Sequence, residues 1–264
     1  MTKKNRYSQI IEEIFFSHYK EGAHQISFER KEIERVANKL GIKLPKNLGD
    51  LIYSFRYRQE LPESVREKAP QGESWIILPA GRSRYYFATT ALAFITPNKG
   101  LVETRVPDST PGVIEMYSLS DEQSLLAKVR YNRLIDIFSS ITCYSLQSHL
   151  RTTVSELGQV ETDEIYIGID KRGAHFIFPI QAKGGKDTLN IVQIVQDFAL
   201  CESKFPSLVC RPVAAQFMEE NLIALFAFEK SESNIAISSE KHYRLTPPED
   251  LTPEELTSYK KRPD

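Results

Sequence analysis

The chain has 264 residues, 41% of them hydrophobic and 26% charged, with 34 Lys and Arg against 35 Asp and Glu. This composition is typical of a soluble globular protein, and the formal net charge of −1 provides no overall basic excess for nucleic acid. Three cysteines at unpaired spacing argue against a disulfide framework and a structural zinc site, and no signal peptide or membrane span is recognisable, which together favour a cytoplasmic location.

Three amphipathic helices are predicted in the first 60 residues. Apolar residues recur at helical spacing between residues 5 and 19, and Gly22 ends that segment. Ser27 is a plausible N-cap for a second helix that Gly41 stops, and Asn47 can cap a third. The last two helices and their short connection have the outline of a helix-turn-helix.

A β-hairpin with a basic turn is predicted over residues 74–95. Three helices followed by such a hairpin predict a winged-helix-like DNA-recognition domain over residues 1–100, in which the hairpin would lie along the DNA backbone. The predicted DNA-binding residues lie on the third helix, just before it, or on the hairpin turn: Lys46, Tyr53, Arg56, Arg58, Arg82 and Arg84. The alternative is that these groups only form the solvated face of a structural domain.

Residues 96–112 are rich in proline and glycine and are predicted to link two domains. Beyond them, Ser120 and Gln123 form a capping-box pattern that opens a long helix through about Ser140.

Charged residues lie among the apolar ones on the inward face of this long helix. At 100° per residue, Glu122, Arg130 and Arg133 share that face. Burial without partners would be costly, so a polar site is predicted nearby, unless the two arginines lie at the margin of the apolar stripe and extend to solvent.

Two strands joined by a turn are predicted in the stretch GQVETDEIYIGIDKRGAHFIFPIQAKGGK. Side chains two apart on a strand share a face, about 6.6 Å from each other. Glu161 and Asp163 therefore share a face on the first strand, as Gln181 and Lys183 do on the second. Antiparallel pairing of the strands would bring the two acids toward Gln181 and Lys183.

These residue types suit metal-dependent hydrolysis of a phosphodiester. Mg²⁺ takes a few oxygen ligands and keeps several waters, so a carboxylate and an amide oxygen provide a partial shell. Lys183 could orient the attacking water and stabilise the transition state. The alternative is that Gln181 and Lys183 are the exposed end of a strand and that residues 161–164 are a solvated run.

A glycine pair and a helix over residues 189–204, capped by Asp187 or Thr188, are predicted to follow the hairpin. Strands are predicted at residues 208–217 and 222–228, with a polar, exposed tail over residues 246–264.

The arrangement of an acid followed by Gln-x-Lys, in the order helix, three strands, helix, strand, resembles the PD-(D/E)XK nuclease superfamily and specifically its type II restriction endonucleases. Asp163 matches the first acid of the family, Gln181 its second position, Lys183 its lysine and Glu122 an additional glutamate of some members. Glutamine at position 181 departs from the Asp or Glu of the common pattern, and Glu161 or Glu164 could replace Asp163 as the acid.

The resemblance implies an α/β fold with a restriction-endonuclease-like core, a mixed sheet flanked by helices, over residues 112–245. It implies catalytic roles for Asp163, Gln181 and Lys183, and Mg²⁺ held by Asp163, Gln181, Glu122 and Glu161. The implied function is site-specific cleavage of double-stranded DNA by a homodimer. Alternatives are a DNA repair or recombination nuclease of the same fold and a non-catalytic DNA-binding regulator.

Overall fold

The computed structural model describes residues 6–119, 122–155, 157–184, 187–219, 221–231 and 234–262 of a mixed α/β protein. The chain divides into two compact units. The first comprises Met1–Ile95, Arg151–Glu161 and Asn190–Ser203, and the second Thr96–Leu150, Thr162–Leu189 and Lys204–Asp264. Within the described ranges, no helix combines the length and the apolar character that crossing a membrane requires.

The N-terminal part of the first unit alternates helices with short strands. In chain order its elements are α1 (Arg6–His18), β1 (Gln25–Glu29), α2 (Arg30–Leu40), α3 (Leu48–Tyr57), α4 (Glu63–Arg66), β2 (Ser74–Pro79), β3 (Arg84–Thr90) and β4 (Phe94–Ile95). β3 pairs antiparallel with both β1 and β2, which gives a sheet in the order β1-β3-β2. The three predicted helices and the hairpin are present.

The start of the second helix differs from the prediction. Ser27 lies on β1, where it pairs with Tyr86, and does not cap the helix. Glu29 is the N-cap, and its backbone N–H donates to the Glu32 carboxylate at 2.8 Å in a capping box. The chain extends before α2 because alternate residues of β1, Ile26 and Phe28, are buried.

Glu32 predicts a pH dependence of stability. Burial by itself would raise the pKa of Glu32, but hydrogen bonds from His18 and the Glu29 N–H, with the charges of His18 and Arg35, together lower this pKa. A lowered pKa stabilises the fold above about pH 4.5, and that contribution is lost as the pH falls below this value. We expect Glu32→Gln to lower the free energy of unfolding at pH 7 and to have a smaller effect at acidic pH, which urea titrations at both pH values would measure. An equal loss at both pH values would contradict this prediction.

An aromatic cluster forms the centre of the first unit. The Phe15 ring contacts Trp75 and Phe87 edge to face, with centroids 5.2 Å away in both cases, and stacks on Tyr19 at 5.1 Å. The other buried residues of this core come from the helices and the strands: Ile10, Ile11, Ile14, Ile26, Phe28, Ile33, Val36, Ala37, Leu51, Ile52, Phe55, Leu61, Val65 and Ile77.

The remaining elements contain the longer strands. They are β5 (Glu103–Pro107), α5 (Gly112–Tyr117), α6 (Glu122–Tyr131), α7 (Leu134–Ser139), β6 (Thr142–Val154), β7 (Gly158–Ile169), β8 (His175–Lys183), β9 (Leu189–Asn190), α8 (Ile191–Lys204), β10 (Val209–Cys210), β11 (Val213–Glu219), β12 (Leu222–Lys230), β13 (Ile235–Thr246), the 3-10 turn Pro248–Asp250 and α9 (Pro253–Tyr259).

The larger sheet is mixed and has the strand order β5-β13-β12-β11-β8-β7-β6, with β10 also beside β8. β7 pairs antiparallel with β8, whereas β11 pairs parallel with β8 after the chain has passed through α8. α6 and α7 cover one face of the sheet with a core of Leu125, Leu126, Val129, Leu134, Ile135, Tyr166, Phe178, Ile180, Ala182, Val213, Ala215, Ile223 and Leu225. Along the chain, the element order is therefore helix, β6, β7, β8, helix, β11, where the second helix is α8 of the first unit.

The long helix predicted through Ser140 is interrupted. Arg133 adopts a left-handed conformation, with φ of 50°, and separates α6 from α7. The preceding residue, Asn132, is buried and donates from its side chain to Thr110 and to the Lys128 carbonyl, at 3.0 and 2.9 Å. These contacts stabilise the break, and sequence periodicity contains no information about them.

The segment predicted as a linker contains β5, which pairs in parallel with β13. The Arg244 guanidinium on β13 donates to Glu103 on β5 at 2.5 and 3.0 Å. Where a polar tail was predicted, α9 begins with a Thr252–Glu255 capping box, and Glu255 also accepts from Arg105 at 2.9 Å. Both segments are ordered by contacts with residues that are distant in sequence.

Candidate functional site

The predicted site lies where β7 and β8 separate. Their backbone pairing runs from Ile169 opposite His175 to Glu164 opposite Ile180. Beyond that point, side chains of β7 replace the backbone partners: Thr162 Oγ1 donates to the Ile180 carbonyl at 3.2 Å, and Asp163 Oδ2 accepts from the Ala182 N–H at 2.8 Å. β8 meanwhile continues its pairing with β11 as far as Lys183.

The Asp163 carboxylate is thereby held against the backbone of β8. The donor of this hydrogen bond, the Ala182 N–H, lies between Gln181 and Lys183 in the chain. The Gln181 side chain is 1% exposed. It is buried, and the alternative of a solvated strand end therefore does not describe this residue.

Glu122, the fourth residue of the predicted site, forms an ion pair with Lys183. Glu122 is the first residue of α6 and is separated from Lys183 by 61 positions in sequence. The Lys183 side chain is 18% exposed. The ammonium group is consequently positioned by a carboxylate at the margin of the sheet.

The other two acids of β7 have different partners. Glu161 Oε2 lies 3.0 Å from Arg151 Nη2 in a surface ion pair with β6. Glu164 points to the opposite face of β7 from Asp163, is fully buried, and accepts from Arg130 Nε at 2.8 Å and from Ser145 Oγ at 2.6 Å. Asp163 accepts from β8 at Ala182, next to Lys183.

The two arginines predicted on the inward face of the long helix differ in their contacts. Arg130 pairs with Glu164, so a polar group does meet this face of α6. Arg133 pairs with Asp136 near the surface, three residues along the chain. The Arg130–Glu164 pair was not predicted. The sequence pattern that could have predicted this pair is an inward-facing arginine on the helix together with an acid on the face of β7 opposite to Asp163.

Five of the predicted DNA-binding residues are exposed at the chain positions expected for them. Lys46 precedes α3, Tyr53 lies on it, Arg58 follows it, Arg82 lies in the turn between β2 and β3, and Arg84 begins β3. The Arg58 guanidinium lies over the ring of Tyr53, which is also exposed, at 5.1 Å from the ring centroid. This basic and aromatic pair is available to solvent.

Arg56 is less accessible. Its Nε and Nη2 atoms are buried and have no hydrogen-bond partner among the described residues. The guanidinium lies 4.8 Å from the centroid of the Tyr57 ring. Burial raises the pKa of Tyr57 to about 12, and the Tyr57 hydroxyl meets Gln196 of α8 within the first unit. The end of α3 that contains Arg56 therefore packs inside the unit.

Two sequence features of the site fall outside the described residues: Ser120 of the capping box and Gly185 of the glycine pair. After the glycines, neither Asp187 nor Thr188 is the residue next to α8. Asn190 occupies that position, and its Oδ1 accepts from the Val192 N–H at 2.9 Å.

The chain was compared with protein-family models, with curated proteins and with solved structures, and none of these comparisons found a match.

Proposed function

We propose that the protein is a Mg²⁺-dependent, site-specific endonuclease that hydrolyses double-stranded DNA, of the type II restriction endonuclease kind. The observation that carries this proposal is that, where β7 leaves β8, Asp163 accepts from the Ala182 N–H between Gln181 and Lys183, while Lys183 pairs with Glu122. The element order of helix, three strands, helix and a strand parallel to the third also supports it, since the resemblance of the sequence implies the same order.

The donor chemistry of these residues fits Mg²⁺, which prefers oxygen ligands and retains part of its water shell. Asp163 and Gln181 would hold the ion, with the Glu122 carboxylate adding the negative charge that a glutamine does not provide. Within the described ranges, no group of three or more His, Cys, Asp and Glu residues is placed to bind a metal. The amide oxygen of Gln181 would be one of the ligands in this proposal. Bound Mg²⁺ would activate water and neutralise charge on the scissile phosphate.

The protein groups have separate tasks in this proposal. The hydrogen bond from the Ala182 N–H fixes the orientation of the Asp163 carboxylate. The Lys183 ammonium donates to the attacking water or to the phosphate oxygens as charge develops on them. Glu122 holds that ammonium on the α6 side until DNA is bound.

The first unit supplies DNA recognition in this proposal. Its order of α1, β1, α2, α3, the short α4 and a hairpin, with the sheet order β1-β3-β2, supports a winged-helix-like module. Exposed basic groups at the two ends of α3 and at the hairpin turn would contact phosphates, and Tyr53 would reach a base or sugar. A homodimer would match the two-fold symmetry of a palindromic site.

Incubation of the purified protein with DNA of known sequence and Mg²⁺, followed by mapping of the ends, tests the proposal. We expect discrete fragments with identical ends at one sequence, and no cleavage in EDTA. Cleavage at branched or damaged DNA without a fixed sequence would instead support the repair or recombination nuclease. Intact DNA under all Mg²⁺ conditions would overturn the nuclease proposal.

A non-catalytic DNA-binding regulator is the second candidate. The observation that favours it is that Lys183 and the Asp163 carboxylate already have partners within the protein, Glu122 and the Ala182 N–H. In that case these contacts only stabilise the hairpin, and the protein binds specific DNA in EDTA as well as in Mg²⁺ without cutting it.

DNA binding through the first unit predicts a salt-dependent phenotype. We expect Arg58→Ala and Arg82→Ala each to weaken DNA binding and to reduce the slope of log Kd against log salt by about 1, because each removes one phosphate contact. Fluorescence anisotropy in EDTA with a labelled duplex, at several salt concentrations, measures both quantities. Arg172→Ala, at the exposed turn between β7 and β8, is the matched control and should retain the wild-type slope. Unchanged slopes in both test variants would place recognition elsewhere.

A further inference from the structure

α6 contacts both strands of the hairpin at the point where they separate. Glu122 at its start pairs with Lys183 of β8, and Arg130 pairs with Glu164 of β7. The two α6 residues are eight positions apart, about 12 Å along the helix at 1.5 Å per residue. One rigid helix therefore sets the position of both strand ends.

The position of Asp163 depends on the second of these contacts. Backbone pairing between β7 and β8 stops at Glu164, and Asp163 is the next residue toward the open end. Its carboxylate reaches β8 through the hydrogen bond that it accepts from the Ala182 N–H. The buried Glu164 side chain, on the opposite face of β7, holds the backbone at residues 163 and 164 in position.

Glu164 is strongly held on that face. One oxygen, Oε1, lies 2.6 Å from Arg130 Nη2 and accepts from Ser145 Oγ at the same distance. Arg130 also donates to Ser148 at 2.9 Å, so this arginine connects α6, β6 and β7. The contact thus ties three elements together immediately beside the predicted catalytic acid.

The pair is also poorly optimised for stability. Glu164 Oε2 is buried without a hydrogen bond of good geometry to the described part of the chain. The Tyr166 hydroxyl is buried beside Arg130 and Glu164, and its burial raises the pKa of Tyr166. Burying an unsatisfied carboxylate oxygen is unfavourable, and an apolar pair of similar volume often stabilises a core better than a buried ion pair. Because the Arg130–Glu164 pair is not the most stable choice for a core, a role in positioning the neighbouring part of β7 explains it better.

We propose that Arg130 and Glu164 are positioning residues that hold the Asp163 carboxylate against β8 for catalysis. This inference rests on the proposed nuclease function, because that function makes Asp163 a catalytic residue. Neither Arg130 nor Glu164 contacts the reacting phosphate in this proposal. Their effect passes through the β7 backbone to the Asp163–Ala182 hydrogen bond.

The double variant Arg130→Met/Glu164→Gln separates positioning from stability. It removes the charge pair without leaving a buried charge, and the amide oxygen introduced at position 164 can still accept from Ser145, so we expect thermal unfolding close to that of the wild type. We expect the Ala182 amide to exchange with solvent about tenfold faster or more, as its acceptor becomes mobile. Cleavage in a single turnover should slow on the order of 10²-fold, with DNA affinity retained. The single variant Arg130→Lys should cleave faster than the double variant and more slowly than the wild type.

Arg172→Ala is the control, because Arg172 and Asp170 form an arginine–carboxylate pair at the other end of the same hairpin. It should leave both the exchange of Ala182 and the cleavage rate unchanged. Wild-type protection of Ala182 in the double variant would overturn the positioning role, whether or not the wild type cleaves DNA. A wild-type protein that does not cleave would overturn the proposed function, whatever the exchange result.

Discussion

Lys183→Met is expected to reduce Mg²⁺-dependent DNA cleavage by about 10³-fold, because it removes the ammonium group that stabilises developing charge on the phosphate. Methionine retains the length and the apolar stem of lysine, and the β8–β11 pairing at this position uses the backbone. The fold and DNA affinity should therefore survive. Single-turnover cleavage of a labelled duplex, with Kd measured in Ca²⁺ or EDTA, gives the rate and the affinity separately.

The control for this variant is Lys171→Met, which makes the same substitution at the exposed turn between β7 and β8. It should cleave at the wild-type rate. Asp163→Asn should resemble Lys183→Met, since the amide oxygen can still accept from the Ala182 N–H while the charge is lost. Turnover at the wild-type rate in Lys183→Met or Asp163→Asn would sink the assignment of the site.

Phe15→Ala is expected to destabilise the first unit by about 3–5 kcal/mol, the usual cost of removing a buried aromatic ring. Phe15 is fully buried and contacts Trp75, the one tryptophan of the chain. The fluorescence of this tryptophan therefore reports on the same core in which the cavity forms. Urea titrations followed by tryptophan fluorescence measure the change in the free energy of unfolding.

Phe16→Ala is the matched control, with the same substitution one residue along α1. The Phe16 side chain is 41% exposed, so its removal should cost less than about 1 kcal/mol. Equal losses in the two variants would contradict the assignment of Phe15 to the core. A loss confined to Phe15→Ala would also predict weaker DNA binding at temperatures where the first unit begins to unfold.

Local patterns were sufficient to predict the elements that bury a periodic apolar face. The spacing of Ile10, Ile11, Ile14 and Phe15 predicts α1, and Gly41 marks the end of α2, where it adopts a left-handed conformation with φ of 64°. The β2–β3 hairpin was predicted in the same way from two apolar runs and a turn. Each of these signals lies within one element or its immediate neighbours.

Strands that depend on distant partners were not predictable in this way. β1 consists of five residues that become a strand by pairing with β3, about 60 positions along the chain. β5 pairs with β13 across about 140 positions, and its sequence resembles a linker because it is short and lies in a segment that contains Pro97, Pro107 and Pro111. The free energy that stabilises such a strand comes from its pairing with a distant segment, which a local sequence pattern does not reveal.

The sequence by itself determined that Asp163, Gln181 and Lys183 lie on one hairpin, because the two-residue period of strands and a short turn leave few possible registers. Only the tertiary structure decided which charges meet: Glu122 with Lys183, Arg130 with Glu164, and Arg151 with Glu161. Helical periodicity indicated that Glu122 and Arg130 face inward, but the choice of partner depends on how α6 packs across the sheet. That packing is set by the whole core and by no single segment of the chain.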